Sequence, residues 1–222
     1  MRGKIGPEWW IAATAFVVLW ATSPGYGYFR DELYYLDCAA RLDWGYVDHP
    51  PLSILLLAIA RSIFGDSLWA LRLLPSLATA LTVGVSGSLA RRFAGGDFAA
   101  ALAAVAVAVA PGVLALSGFY SMNAFDLLFW TALWWLAALA LVSDEPRDWV
   151  LFGLVAGLGL QNKISVLFLG FGLVVGLLMA RRWDHLRSRW LWLGGGLALL
   201  LFLPHLLWQV AHGWPTLEFM AN

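Results

Sequence analysis

The residues best suited to chemistry lie in two short polar motifs that follow the first apolar segment of the chain. The first motif is Arg30-Asp31-Glu32-Leu33-Tyr34-Tyr35, and the second is Asp48-His49-Pro50-Pro51. A carboxylate can orient a hydroxyl and accept its proton, and a histidine can bind or release a proton near neutral pH. Ionisable side chains beside strongly apolar segments are functional by default, so these motifs form the primary candidate site.

Two cations further along the chain extend this candidate site. Arg72 and Lys163 each lie near the end of an apolar segment. A basic side chain there either reaches out to lipid headgroups or binds a substrate phosphate. Asp126 lies inside another apolar segment and needs a cationic partner, which Arg72 or Lys163 could provide. Asn123 could cap the helix that contains Asp126.

The same residues also admit structural explanations. Asp31 and Glu32 fall in the first turn of a predicted helix, where the helix dipole favours acids. His49 precedes a proline, so its backbone is extended and its side chain is aimed by a stiff turn beside Asp48. The chain has no His, Cys and Glu spacing typical of zinc, although Asp31 and Asp48 could share a divalent cation.

The composition indicates a polytopic helical membrane protein. Of the 222 residues 61% are hydrophobic and 13% charged, against about 45–50% and about 25% in soluble domains. The 14 Trp residues fit this interpretation, because Trp favours membrane interfaces. The formal net charge is zero, so the sequence indicates no nucleic-acid partner, and the single Cys38 excludes an intrachain disulfide framework.

Eight apolar segments are candidates for membrane spans. They are residues 8–23, 52–64, 67–90, 98–117, 124–142, 149–162, 164–180 and 190–211. A bilayer core of about 30 Å requires around 20 helical residues. Segment 52–64 is too short and is predicted to lie along the membrane surface, which leaves about seven spans. Residues 149–180 are predicted to form two short spans that turn at Gln161-Asn162-Lys163.

The positive-inside rule gives these spans a predicted orientation. The first segment is predicted to be an uncleaved span, with Arg2 and Lys4 in the cytoplasm. The Arg91-Arg92 pair, the loop at 144–148 and the arginines at 181–189 then lie on the cytoplasmic side as well. Polar residues from distant parts of the sequence converge on the outer face: Asp31, Glu32, Asp48, His49, Arg72, Asn123, Asp126, Lys163 and His212. A transporter more typically places charges along a midplane path, so a one-sided cluster favours chemistry at the interface.

Several motifs of the chain together resemble those of a known family. The first two motifs, together with Ser121-Met122-Asn123-Ala124-Phe125-Asp126, Gly159-Leu160-Gln161-Asn162-Lys163 and His212-Gly213-Trp214-Pro215, resemble bacterial membrane glycosyltransferases. These belong to the dolichyl-phosphate-mannose protein mannosyltransferase superfamily, which has the GT-C fold and includes the lipid A aminoarabinose transferase. The resemblance extends over essentially the whole chain.

The resemblance implies an all-α polytopic transmembrane bundle of the GT-C type. Residues 1–222 would form a transmembrane glycosyltransferase domain that corresponds to the N-terminal part of a longer enzyme. Residues 24–64 would form its first periplasmic loop, which carries interfacial helices. The expected location is the cell inner membrane, with a cytoplasmic N-terminus and a periplasmic active site.

The resemblance also implies a reaction and roles for the candidate residues. A sugar would move from a polyprenyl-phosphate donor to a hydroxyl of a lipid, glycan or protein acceptor. Because the lipid phosphate leaves as a stable anion, one catalytic base suffices. Asp31 and Glu32 are the expected catalytic residues; His49, Arg72 and Lys163 are the expected phosphate ligands; Tyr35, Asp48, Asn123 and Asp126 are the expected supporting residues.

Two other classes of function remain open from the sequence. The chain could be a transporter or flippase for a lipid-linked sugar, although few charges fall in the inner half of its spans. It could also be a non-catalytic subunit that assembles with a larger membrane enzyme. No cofactor is required by the residues themselves, and a requirement for a divalent cation is left undecided.

Overall fold

The protein is all-α, as the sequence predicts. A computed structural model describes residues 5–143, 145 and 147–221, and these residues form twelve α-helices and no β-strand. The predicted inside charges Arg2 and Lys4, and part of the predicted 144–148 loop, lie outside the described residues. The helices are α1 (Pro7–Thr22), α2 (Arg30–Ala39), α3 (Leu52–Phe64), α4 (Leu68–Ala94), α5 (Gly96–Ala108), α6 (Pro111–Ser117), α7 (Met122–Val142), α8 (Asp148–Asn162), α9 (Val166–Met179), α10 (Trp183–Leu186), α11 (Arg189–Ala211) and α12 (Pro215–Ala221).

Helix length and composition are those of a multi-pass membrane protein. Among the described residues, α4, α7 and α11 are long and apolar enough to cross a bilayer alone, and α5 with α6 makes a fourth candidate. The predicted count of about seven spans is therefore not confirmed. Helix α3 covers residues 52–64 and is a shorter apolar helix, as its sequence predicts.

One predicted span is broken. Residues 98–117 form two helices, α5 and α6, which meet at an angle of 58°. Pro111 begins α6, and proline lacks the N–H that would continue the ladder of α5 and disfavours helical backbone in the residue before it. The predicted span over residues 98–117 is therefore a bent pair of helices, and the proline explains the break.

The predicted helix break beside Lys163 is observed, although it lies at residues 163–165 because Gln161 and Asn162 still belong to α8. Helix α8 ends at Asn162 and α9 begins at Val166. Lys163 has extended backbone, with φ −156° and ψ 134°. Its N–H donates to the carbonyl oxygen of Gly159 at 2.8 Å, which closes the last turn of α8.

The chain divides into two compact units. The first contains residues 1–41 and 54–131, and the second contains residues 42–53 and 132–222. In the first unit α1 packs against α4 and α5 around the buried side chains of Ala12, Val83 and Ala104. Such small side chains let helix backbones approach closely where lipid supplies no hydrophobic drive for helix association.

A buried acid fixes the start of α1 to the end of α4. The Glu8 carboxylate is almost fully buried and receives two hydrogen bonds from the guanidinium of Arg91, one of them from Nε at 3.2 Å. Arg91 also pairs with the exposed Asp97 at the start of α5. A buried carboxylate requires such a partner, so this network joins three helices of the first unit.

In the second unit, glycines bring α8 and α11 into backbone contact. A Cβ atom built at Gly194 would lie closer than 3.0 Å to the carbonyl oxygen of Trp149, and one built at Gly153 would strike Gly194. Gly157 lies in the same contact, because an added Cβ there would meet Leu201. At Gly170, Gly172 and Gly176 an added Cβ meets no atom of the described chain within 4 Å, so close packing is not observed there.

A pair of neighbouring glycines on α11 tests this contact. We expect Gly194→Ala to lower the free energy of unfolding by about 1–3 kcal/mol, because the methyl group must displace backbone. Gly195→Ala is the matched control, since its Cβ enters open space; it should be neutral or stabilise by up to about 1 kcal/mol through helix propensity. Unfolding by denaturing detergent would measure both. Equal effects of the two variants would contradict close packing at Gly194.

Candidate active site

The first turn of α2 separates its two acids into different environments. Phe29 has extended backbone, and the helix begins at Arg30. The Oε2 atom of Glu32 accepts the N–H of Phe29 at 2.8 Å, so this carboxylate caps the helix and is fully buried. Asp31 keeps 37% of its side chain exposed and accepts a hydrogen bond from the Nε of Arg30 at 3.1 Å. Asp31 is therefore the accessible acid of the pair.

Glu32 forms a buried ion pair with Arg72 of α4. Nε of Arg72 donates to Oε1 of Glu32 at 2.8 Å, and NH2 donates to Oε2 at 2.7 Å. The Arg72 side chain is only 2% exposed. This two-pronged geometry is the strongest arrangement that an arginine and a carboxylate can adopt.

The remaining N–H groups of Arg72 bind the backbone between α1 and α2. Its NH1 donates to the carbonyl oxygens of Ser23 and Tyr26, and its NH2 donates to that of Gly27 at 2.8 Å. An arginine has five N–H donors, and all five are used here. In this conformation Arg72 has none left for a phosphate, so its predicted phosphate contact stays a prediction and the geometry favours a positioning role.

The same carboxylate connects α2 to the start of α7. Oε1 of Glu32 accepts the N–H of Tyr120 at 2.8 Å. One turn further along α2, the hydroxyl oxygen of Tyr35 accepts the N–H of Met122 at 3.1 Å, and its ring lies 5.7 Å from that of Tyr120. Tyr35 is buried and holds neighbouring backbone in place. Its supporting role in catalysis stays a prediction.

The C-terminal half of α2 is held by Arg61 of α3. NH1 of Arg61 donates to the carbonyl oxygen of Leu36 at 3.1 Å, and its Nε binds the carboxylate of Asp66. The hydroxyl of Tyr28 donates to the carbonyl oxygen of Asp66 at 2.9 Å. Both the helix that carries Asp31 and the loop before it are therefore fixed within the first unit.

Helix α7 carries the other two predicted residues of this unit. Asn123 is its second residue, and the hydroxyl oxygen of Ser121 accepts the Asn123 N–H at 3.3 Å. Ser121 thus stands where a helix cap is expected, and the interpretation of Asn123 as that cap is wrong. Asp126 lies one turn later and is half-buried. The predicted pairing of Asp126 with Arg72 is not observed, because the carboxylate that pairs with Arg72 is that of Glu32.

In the second unit, His49 lies buried in a tight loop before α3. Its Nδ1 lies 2.9 Å from the carbonyl oxygen of Pro50, and its Nε2 lies 3.7 Å from Oδ1 of Asp48. The loop is closed by the N–H of Tyr46, which donates to the carbonyl oxygen of His49 at 3.0 Å. Burial lowers the pKa of His49, although the Asp48 carboxylate opposes this effect. His49 is therefore a neutral hydrogen-bonding group at neutral pH. Its contact with a phosphate stays a prediction.

The loop before His49 rests on polar residues of α11 that the sequence interpretation had not assigned to the site. Nδ1 of His205 lies 3.2 Å from the carbonyl oxygen of Trp44, and Gly45 leaves no room for a side chain against Trp208. Next to His205, the amide of Gln209 donates to the hydroxyl of Thr216 at 2.6 Å. His205 and Gln209 are four residues apart on one face of an apolar helix, a signal that could have identified them.

Lys163 lies at the turn between α8 and α9, where its side chain is half-buried. The neighbouring Asn162 is fully buried, and the amide of Gln161 donates to the carbonyl oxygen of Leu201 at 2.6 Å. The turn that carries Lys163 is thus fixed to α11. Its role as a phosphate ligand stays a prediction.

No group of three or more His, Cys, Asp or Glu side chains gathers among residues 5–143, 145 and 147–221 in a way that could hold a metal ion. A cation shared by Asp31 and Asp48 alone would have few protein ligands. That pairing stays a prediction.

The Glu32–Arg72 ion pair should dominate the stability of the first unit. Removing one partner of a buried pair typically costs about 3–5 kcal/mol, so we expect losses of this order for Arg72→Met. Glu32→Gln should also be destabilising, because its single amide oxygen can replace only one of the two carboxylate oxygens that accept the N–H groups of Phe29 and Tyr120. The exposed Asp66→Asn is the control and should cost less than about 1 kcal/mol. A double-mutant cycle in detergent that shows additive losses at Glu32 and Arg72 would contradict direct coupling.

The burial of His49 predicts a stability that falls in acid. Its folded-state pKa lies below the ordinary value of 6.5, so the unfolded chain takes up a proton more readily. The stability that neutral His49 provides is present above that ordinary value and is lost as the pH falls through the lower folded-state pKa. Between about pH 7.5 and about pH 5, wild type should therefore lose more stability than His49→Asn. Thermal unfolding at both pH values would measure the difference, and equal losses would show that His49 is not the responsible group.

Comparison with known proteins extends these observations. A curated relative, undecaprenyl phosphate-alpha-4-amino-4-deoxy-L-arabinose arabinosyl transferase 1 of Pseudomonas fluorescens, is 30% identical over 173 residues, which cover 75% of this chain and 31% of that protein. Two crystal structures of ArnT from Cupriavidus metallidurans are similar in fold at 24% identity. The one bound to undecaprenyl phosphate has a TM-score of 0.78 and the apo structure one of 0.75.

These likenesses concern part of each relative. The matched region includes 95% of this chain but only 43% of the undecaprenyl-phosphate-bound structure. The chain spans about a third of the length of the curated arabinosyl transferase. The family profile described as dolichyl-phosphate-mannose-protein mannosyltransferase matches residues 48–208, a range that includes His49, Arg72 and Lys163 and begins after Asp31 and Glu32. Since this profile matches well over half of the residues, the chain belongs to the dolichyl-phosphate-mannose-protein mannosyltransferase family.

Proposed function

We propose that this chain is part of a glycosyltransferase that takes a sugar from a polyprenyl-phosphate donor and transfers it to an acceptor hydroxyl. The family match and the arabinosyl transferase relative support this reaction class. A similar fold that binds undecaprenyl phosphate supports a polyprenyl-phosphate donor. The observation that carries the proposal is the half-exposed carboxylate of Asp31, presented on a helix turn that a buried ion pair holds in place.

Asp31 would act as the catalytic base. It would accept the proton of the acceptor hydroxyl while that oxygen forms a bond to the anomeric carbon of the sugar. The bond from the anomeric carbon to the donor phosphate breaks in the same displacement, which inverts the anomeric centre. The polyprenyl phosphate departs as a stable anion, so no general acid is needed, in contrast to glycoside hydrolysis.

Negative charge grows on the phosphate oxygens during this displacement, and cations or N–H donors must stabilise it. Lys163 is the proposed cation, and neutral His49 is the proposed hydrogen-bonding contact from the loop that also carries Asp48. Arg72 is assigned a different part, because its donors are used by Glu32 and by backbone carbonyls. It would orient α2, and thereby Asp31, instead of touching the phosphate.

The proposed setting is the periplasmic face of the cell inner membrane. Residues 24–64 would form the first periplasmic loop, with α2 and α3 as interfacial helices, and residues 1–222 would belong to the transmembrane glycosyltransferase domain. The N-terminus would be cytoplasmic, as the positive-inside rule predicts. The acceptor would be a lipid, glycan or protein hydroxyl, and the transferred sugar a hexose or a pentose.

Sugar transfer in proteoliposomes tests the role of Asp31. The full-length protein would receive polyprenyl-phosphate donors that carry hexose, pentose or amino-pentose, and labelled product would be measured. Asp31→Asn should lower the turnover about 10²–10⁴-fold, the usual contribution of a positioned base. Asp37→Asn is the matched control: it lies on the same helix, and its carboxylate pairs with Arg41 at the exposed surface. The control should retain activity near that of wild type.

The same assay separates the proposal from its alternatives. Equal turnover in wild type and Asp31→Asn would remove Asp31 from the catalytic role. A wild-type protein that moves the lipid-linked donor across the bilayer without transferring sugar would indicate a flippase. A wild-type protein that does neither would favour an assembly subunit and overturn the enzyme proposal.

A further inference from the structure

A basic and aromatic segment lies between α9 and α11. Residues 180–192 read Ala-Arg-Arg-Trp-Asp-His-Leu-Arg-Ser-Arg-Trp-Leu-Trp, so four arginines and three tryptophans stand against one acid, Asp184. We call residues 180–192 the arginine–tryptophan segment. It includes the short helix α10 and belongs wholly to the second unit.

The segment begins with an arginine in a backbone conformation that usually requires glycine. Arg181 has φ +54°. Its N–H donates to the carbonyl oxygen of Leu178 at 3.1 Å, and the N–H of Arg182 donates to that of Leu177 at 2.9 Å. This pair of bonds ends α9 in a motif whose left-handed position is normally glycine, because a side chain there is strained. A strained residue of this kind is a candidate for a functional role, which makes the Arg181 guanidinium a candidate ligand-binding group.

Three of the four arginines are exposed, and their charges are not neutralised by acids. Arg182 pairs with Asp184 at 3.0 Å, and this hydrogen bond lowers the pKa of Asp184 to about 2. Arg181, Arg187 and Arg189 form no ion pair with any residue in the described part of the chain. Arg189 lies over the ring of Trp190 at 5.1 Å, a contact that leaves its N–H groups able to bind an anion.

Two tryptophans of the segment have exposed rings, and hydrogen bonds hold the residues around them in place. Trp183 is 49% exposed and Trp192 is 63% exposed. The indole N–H of Trp192 donates to the carbonyl oxygen of Leu186 at 2.9 Å, so its ring is held in the exposed position. Beneath them, the indole N–H of the buried Trp149 lies 3.3 Å from Nδ1 of His185, which fixes α10 to α8.

We propose that the arginine–tryptophan segment binds the phosphate groups of anionic phospholipids. Guanidinium groups match phosphate oxygens in pairs, and exposed tryptophan rings prefer the headgroup level of a bilayer. The segment joins the apolar helices α9 and α11, so its position along the chain is that of a membrane interface. A nucleic acid is disfavoured as the occupant because the whole chain has zero net charge. The proposal does not depend on the sugar-transfer reaction.

Lipid titration of the purified full-length protein by native mass spectrometry tests this proposal. Wild type should bind phosphatidylglycerol more tightly than phosphatidylcholine. Since an arginine near an anionic surface contributes about a fivefold preference, the triple variant Arg181→Gln, Arg187→Gln, Arg189→Gln should weaken phosphatidylglycerol binding at least about tenfold. Phosphatidylcholine binding should be unchanged.

A matched control separates a dedicated site from diffuse charge. The triple variant Arg41→Gln, Arg92→Gln, Arg147→Gln removes three exposed arginines elsewhere and should keep the preference of wild type. Equal losses in the two triple variants, or no loss in either, would overturn the proposal. Displacement of phosphatidylglycerol by millimolar inorganic phosphate would also overturn it, because the site would then bind free phosphate and not a lipid.

Arg181→Gly distinguishes a binding role from a structural one. Glycine relieves the left-handed strain, so the variant should unfold at a higher temperature than wild type. Its binding of phosphatidylglycerol should nevertheless weaken about fivefold, because one guanidinium is lost. A variant that is more stable and binds the lipid as well as wild type does would show that Arg181 takes no part in lipid binding.

Discussion

The ion pair between Glu32 and Arg72 is the interaction on which the first unit depends. Both side chains are buried, where an unpaired charge would be very costly, and each fills its hydrogen-bonding capacity with the other and with backbone. Through this pair α2, α4, the backbone from Ser23 to Gly27 and the N–H of Tyr120 hold one another. The neighbouring Asp31 is accessible, and this fixed helix turn holds its backbone in place.

Two adjacent carboxylates of α2 thus have different roles because their surroundings differ. Glu32 points inward and uses its oxygens to satisfy a helix N-terminus and an arginine, whereas Asp31 remains partly open beside Arg30. Environment assigns the roles of paired acids in many enzymes. Here it divides a sequence pair, Asp-Glu, into a candidate base and the residue that positions it.

Polar groups of the second unit serve the same purpose of holding backbone in an apolar setting. His205 and Gln209 of α11 support the loop at Trp44 and the start of α12, and Gln161 of α8 reaches a carbonyl of α11. Glycines at 153 and 194 bring these two helices together, so their separation is set by backbone and not by side chains. The arginine–tryptophan segment differs, because three of its four arginines are exposed and form no ion pair within the described part of the chain.

The sequence by itself determined the all-α class, the bounds of α3, the turn after α8 and the family resemblance, because apolar runs, prolines and short motifs act locally. It could not determine what Arg72 binds, since Glu32 lies 40 positions away and only packing brings the two together. Nor could it show that His49 is buried and neutral, or that Ser121 stands at the start of α7. Burial and pairing depend on neighbours that are distant in the chain, and the tertiary structure alone supplies them.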